Sequence, residues 1–409
     1  MRRYLLVAAF ALHTLYSFTQ SPYKNIPASP NGIVARSETC AANITIGAYL
    51  AQCYPGADAS VKINACEAAA NAAGGGRCDA TSLGGNQAMS QQITVLGNTA
   101  LILPQTGLWV WGLTDGTSAG ILQMNGSSII GTSQGGAGNS VRLQATSTAN
   151  MLALYATDPS PADGGSYLYA TGFIAQNLIS GPVFAHGLVY TRNLFDESLF
   201  ERITATNVYG DAWHILNVCC TTTFLEDAAG SGGGTIGGTP LVVEPGSGGL
   251  NGSSFQWIGT INDPGNGHPN VDIQAQNDNI DFPNVYMEPN PTAGSTPMIN
   301  IDTSRNNPQL RLYGGRMIPN AGQPCFNNPT LVNLLNIGVC HPNLTMNNPI
   351  LTAPVLTAYT VAKLPAASYV GANAFVIVTD SASFTPGPCK GGGSDQMLAT
   401  SNGSTWTCH

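Results

Sequence analysis

From Ile93 to about residue 320 the chain is written in short apolar or alternating runs such as "ITVL", "ALILP", "LWVWG", "GILQM" and "VRLQA". Each has the length of one short strand and is closed by Gly, Asn or Asp. No stretch of helical length and period comes between them, which excludes a doubly wound α/β fold. Only 9% of residues are charged, with 48 Gly and 26 Pro, so long surface helices are not expected. In the middle the runs repeat. Phe200, Phe224, Phe255 and Phe282 recur at spacings of 24, 31 and 27. About 14 to 17 residues after each comes a second short strand, at "HILNV", "LVVE", "VDIQA" and "INID". A unit of two strands and a loop at this period predicts a solenoid, in which stacking buries a core that no single coil can bury.

A solenoid has an open first coil, and the residues before Ile93 supply a cover for it. "NACEAAANAAGGGRCDA", residues 64–80, reads as a short alanine-rich helix. Ser60 is the expected N-cap, and Ile63, Cys66, Ala69, Ala70 and Ala73 the buried face. Gly74 suits the left-handed C-cap. Such a small-residue helix can lie close across the end of the solenoid and protect its edges. Cys66 and Cys78 would staple it to the following strand.

"YPGADASVKINACEAAANAAGGGRCDAT" followed by "ITVLGNTALILPQTGLWVWG" resembles the start of the pectate-lyase-like superfamily. Members open with a glycine turn, an alanine-rich helix, a Gly-Gly break and a strand ending in Leu-Pro. The Gly-Asp-Gly element of that turn is absent here. The resemblance implies an all-β, right-handed parallel β-helix with a short N-terminal capping helix over 56–320. The tail "AFVIVTDSASFTPGPCKGGGSDQMLATSNGSTWTCH" resembles a small β-module of phage tail-fibre-like and secreted bacterial proteins. We assign it to 356–409, with a hairpin at Ser401–Asn402–Gly403. A Pro/Asn-rich connector fills 321–355.

Residues 1–20 read as a secretory signal, with Arg2 and Arg3 before the apolar run Tyr4 to Leu15. An irregular disulfide-containing segment, 21–55, follows. The expected location is secreted or at the cell surface, with no membrane partner after cleavage. Ten cysteines beyond an export signal predict disulfides. Sequence neighbours suggest Cys40–Cys53, Cys66–Cys78, Cys325–Cys340 and Cys389–Cys408. Adjacent Cys219 and Cys220 are expected to stay reduced on opposite faces of a strand. No CxxC pair occurs, so a structural zinc site of that kind is not expected.

The formal net charge is −8, and −8 − 2 = −10 once Arg2 and Arg3 are removed. That is wrong for a nucleic-acid partner, which calls for clustered Lys and Arg. Between residues 143 and 300 fourteen acids face only Arg192 and Arg202. "GSGGGTIGG" contains a GxGxxG match but lacks the strand–turn–helix context of a nucleotide site.

The chemistry-bearing residues cluster between 196 and 227. On a solenoid, neighbours one coil apart stand about 4.8 Å apart, so Glu201 or Arg202 is expected beside Glu226. Glu201, Asp211, Glu226 and Asp227 are the candidate acids, nucleophiles or bases of glycoside hydrolysis. Alternatively carboxylates hold Ca²⁺ against an anionic uronan while Arg202 or Arg192 takes the proton of a lyase reaction. No other cofactor is expected. Tyr209, Trp213, Trp257 and His214 are candidate polysaccharide-binding residues, the aromatics by stacking on sugar rings. The competing class is a non-catalytic adhesin or tail-fibre-like protein, with a homotrimer as its expected assembly. In that class the acids are solvated residues on turns. The polygalacturonase-like signatures are missing; "AHG" at Ala185–Gly187 is a poor match to Gly-His-Gly.

Overall fold

The computed structural model describes residues 48–334 and 358–409, apart from several short loop stretches. The signal segment, residues 21–47, Cys40, Cys340 and most of the connector lie outside the described residues. The chain divides into two compact units, with the division between Asn347 and Asn348.

The first unit is a parallel β-helix with three walls. Along the first wall Cys78, Leu101, Ile129, Ala170, Phe200, Phe224 and Trp257 stack in successive coils. Along the second, Trp109, Leu143, Ala175, Ala205, Ala229, Ile261 and Met287 do the same. The third carries Ile121, Leu154, Val189, Trp213, Leu241, Val271 and Ile299. All of these side chains are buried. Period-2 alternation sends one residue of each pair into the shared core and the next outward.

The second-strand repeat "HILNV", "LVVE", "VDIQA", "INID" is the third wall. The phenylalanine repeat needs one correction. Phe224 stacks on Phe200 but is followed by Trp257, not Phe255. Phe255 sits two residues earlier, level with Ile280. The ring series continues through tryptophan because both residues fill the same inward site.

Bends between walls are made by residues with left-handed backbone. Gly172, Arg202 and Glu226 occupy one bend in successive coils, at φ of 74°, 55° and 55°. Within the third wall Asn193 and Asn217 also have left-handed backbone, and the Asn217 Nδ2 donates to Asn193 Oδ1 at 3.1 Å. Asn is the non-glycine residue best suited to that conformation.

The predicted cap is present as a helix, Ala59–Ala72. Its N-cap is Asp58 rather than Ser60, because the carboxylate accepts from the N–H groups of both Ser60 and Val61, at 2.8 and 3.2 Å. The buried face includes Ile63, Cys66 and Ala70, but Glu67 takes the place expected for Ala69 and Ala73. Gly74 has φ of +90°, and the Gly75 N–H donates to Ala70 O at 3.0 Å, which closes the helix. Several ties hold the helix over the coil end. Cys66 is bonded to Cys78 in the first wall. Asn64 exchanges hydrogen bonds with Gln92 O and Thr94 N, at 2.7 and 2.9 Å, at the start of the third wall. Thr99 donates to Glu67. Asp58→Ala is expected to cost about 1 kcal/mol, the usual loss for an N-cap, measured as a lowered denaturant midpoint with unchanged m-value.

The second unit is a five-stranded sheet over Ala358–Cys408. Strand Asp395–Asn402 pairs antiparallel with Ala372–Ser381 and Trp406–Cys408. At the expected hairpin the Asn402 carboxamide oxygen accepts from the Ser404 and Thr405 N–H groups at 2.8 and 2.7 Å. Val378, Met397 and Ala399 form its core beside the Cys389–Cys408 disulfide. Cys53 and Cys325 are also disulfide-bonded. Cys219 ends a third-wall strand; its side chain and all of Cys220 lie outside the described residues.

Candidate functional site

The acidic centre of the sequence is divided among three places. Glu201 and Arg202 stand at the first bend as an ion pair, Nη2 to Oε1 at 2.9 Å. The Tyr169 hydroxyl donates to the other Glu201 oxygen at 3.0 Å. Glu226 lies one coil on, level with Arg202 and exposed. The expected neighbourhood of Glu201, Arg202 and Glu226 is therefore present at one bend.

Asp227 is not part of it. It turns inward, where Phe173 and Ile203 point in earlier coils, and is 1% exposed. It accepts the Ile203 N–H at 2.7 Å. Burial pushes its carboxyl well above the usual range, and through the Ile203 N–H it clasps the bend from inside. A Cβ at the facing Gly259 would lie 2.0 Å from Asp227 O, so only glycine fits there. Trp213 and Trp257 are corrected likewise. Both are fully buried, stacked edge to face at 5.2 Å, and present no surface to a sugar. Strand alternation sends them inward with the rest of their wall. Trp109 and Trp111 are inside too. Tyr209 is half-buried on the turn before the third wall, its N–H held by Asn207 at 3.1 Å.

Asp211 and His214 belong to a third and more closely built group. With Trp213 turned in, His214 must turn out. Its neighbours in the outward column are Tyr190 in the preceding coil and Val242 in the next. Glu244, two residues beyond Val242, emerges on the same side. His186 enters from the turn before strand Val189–Phe195. Gly187, at φ of +69°, lets that turn close on the imidazole; a Cβ there would lie 2.8 Å from His214 Cδ2.

His214 is held on both sides, Nδ1 to Glu244 Oε1 at 2.5 Å and Nε2 to Asp211 Oδ2 at 2.9 Å. His186 Nδ1 reaches the same Glu244 oxygen at 2.7 Å. The Tyr190 hydroxyl donates to Glu244 Oε2 at 3.2 Å. The Thr239 N–H fixes Asp211 Oδ1 at 2.6 Å. The rings form a layer: His186 stacks on Tyr190 at 4.5 Å, and Tyr190 on Tyr155 at 5.2 Å.

Burial alone would lower the His214 pKa, but its bonds to Asp211 and then Glu244 outweigh burial and raise it. Two acceptors facing both ring nitrogens favour the imidazolium, which alone donates from both. For Asp211 and Glu244, burial is likewise outweighed by the His214 hydrogen bond, and both are lowered. Burial, then the Glu244 charge, keeps Tyr190 a neutral donor. His186 is the exposed member, its side chain 49% accessible.

Beyond this group the outward column becomes a polar ladder. Asp272 accepts from Asn300 and Gln274, each at 2.7 Å, and Asn300 accepts from the exposed Asn327 at 2.7 Å. No family model, curated protein or solved structure matches the chain. The sequence reasoning missed Glu244, Tyr190 and Tyr155 and set His186 aside. The signal was the stacking of "LVVE" under "HILNV", which places Glu244 within reach of His214 once alternation is followed.

Proposed function

We propose that this chain is a secreted or cell-surface β-helix that binds an extracellular polysaccharide along the outer face of its third wall. The observation that carries this is the outward column from Tyr155 through His214 to Asp272, Asn300 and Asn327. It offers a ring edge, then carboxylates and amides at one-strand spacing, the groups that hydrogen-bond sugar hydroxyls. The resemblance of the first coils to the pectate-lyase-like superfamily supports the same class of ligand, and the disulfides suit an oxidising compartment. The excess of acids over Arg192 and Arg202 favours a neutral polymer over an anionic one. An enzymatic reading has its own observation, the shared bend of Glu201, Arg202 and exposed Glu226.

One experiment tests both. Mature protein is passed over immobilised neutral and uronic-acid polysaccharides, with and without Ca²⁺, and the eluates are assayed for reducing ends and unsaturated products. Retention on a neutral polymer is expected, weakened about tenfold by Asn300→Ala, the loss of roughly one good hydrogen bond. Indifference to every polymer would sink the binding proposal. New reducing ends that disappear in Glu226→Gln would make the protein a hydrolase, and ultraviolet-absorbing products a lyase. The trimer expectation rests on the connector at 341–360, of which only the last residues are described.

A further inference from the structure

We propose that His186, His214 and Glu244 form a binding site for a divalent transition metal of the zinc class. Each supplies one donor atom, and the three atoms lie within 4.8 Å of one another. Two imidazole nitrogens and one carboxylate oxygen are a borderline donor set. It suits zinc and its first-row neighbours, whereas Ca²⁺ and Mg²⁺ take oxygen ligands. The set differs from the cysteine-based sites that the spacing of the cysteines argues against.

The surroundings distinguish the group from an ordinary surface ion pair. A metal-bound histidine normally has its other nitrogen held by a carboxylate, which fixes the ring and its tautomer. Here Asp211 Oδ2 holds the far nitrogen of His214 at 2.9 Å and leaves Nδ1 facing Glu244 and His186. Asp211 is itself fixed by the Thr239 N–H at 2.6 Å. Glu244 is oriented in the same way: the Tyr190 hydroxyl takes Oε2, and Oε1 is left toward both imidazoles. The ligands come from three successive coils: His186 from the turn that leads into the third wall, His214 from its strand, and Glu244 from the residue just past the next strand. Three protein ligands leave a fourth tetrahedral position. His214 is nearly buried while His186 is about half exposed, so the open side faces solvent. That is the form of a zinc site that takes water or an exogenous ligand, not of a closed structural one.

The inference does not depend on the polysaccharide proposal, and its test uses no sugar. The full chain, dialysed against a chelator and then freed of it, is titrated with Zn²⁺ by calorimetry and with Co²⁺ by visible absorption. Ca²⁺ serves as the control. We expect about one equivalent of Zn²⁺ per chain, visible Co²⁺ bands, and no Ca²⁺ signal at this site. His186→Ala, a change at an exposed position, is expected to abolish the Co²⁺ bands while leaving the far-ultraviolet dichroism unchanged. Asp211→Asn keeps the ligands and removes only the carboxylate behind His214; it is expected to weaken binding about 10- to 100-fold. The absence of a stoichiometric Zn²⁺ complex overturns the proposal. So does binding that persists undiminished in both His186→Ala and Glu244→Gln.

Discussion

Trp213→Ala is expected to lower the unfolding free energy by about 3–5 kcal/mol, the range for removing a large aromatic side chain from a packed core. The indole lies edge-on to three rings of the first wall, at 6.3 Å from Phe200, 5.4 Å from Phe224 and 5.2 Å from Trp257. Phe200, Phe224 and Trp257 are themselves stacked, so the cavity cannot close without moving two walls. Trp213→Phe separates packing from the polar atom. The Trp213 Nε1–H finds no partner among the described residues, so Phe restores most of the volume and removes an unsatisfied donor. The expected order of guanidinium midpoints is wild type and Trp213→Phe close together, with Trp213→Ala well below. A Trp213→Ala protein of wild-type stability that had lost polysaccharide retention would return this residue to the surface role expected from sequence.

Between pH 4.5 and 8 the protein is expected to lose about 3 kcal/mol of stability through Glu67 alone. This side chain is fully buried beneath the cap helix. Thr99 donates to one carboxylate oxygen, and the other has no hydrogen-bond partner among the described residues. Burial, opposed only by hydrogen bonds from Thr99 and Leu96, raises its pKa from 4.5 to about 7. The folded state therefore keeps a proton that the unfolded chain has already released. Stability from this group is complete below pH 4.5, falls as pH rises toward 7, and is level above it. At about 1.4 kcal/mol per unit the shift amounts to about 3 kcal/mol. Glu67→Gln mimics the protonated form and removes that slope, so the variant gains on wild type at pH 8 and matches it at pH 4.5. Denaturant unfolding with disulfides intact at the two pH values checks this. Equal pH dependence in wild type and variant would show that Glu67 is already ionised in the fold.

Glu67 also shows where sequence reasoning stopped short. The helix was legible, with its glycine stop and its cysteine staple, because those signals are local. The glutamate on its inner face was not, because alanine spacing gave a slightly rotated face, and only contact with Thr99 in the next coil fixes the rotation. Asp227 repeats the lesson. By composition it was one more acid in an acidic stretch. The left-handed residue before it, Glu226, turns it inward, and that turn is set by the bend it shares with Gly172 and Arg202.

The sequence by itself determined the fold class. Short alternating runs, turn residues and a recurring two-strand unit admit few folds other than a solenoid, since a single coil has no core of its own. It also suggested the Cys66–Cys78 and Cys389–Cys408 pairs, which close short loops and are bonded in the structure. The tertiary structure decided the register and, with it, the site. The loops between strands differ in length from coil to coil, so spacing does not tell which residues stack. In a strand a slip of one residue exchanges the two faces. Only the stacked walls decide that Trp213 is core and His214 is not. Only they bring Glu244, thirty residues away, against the same imidazole.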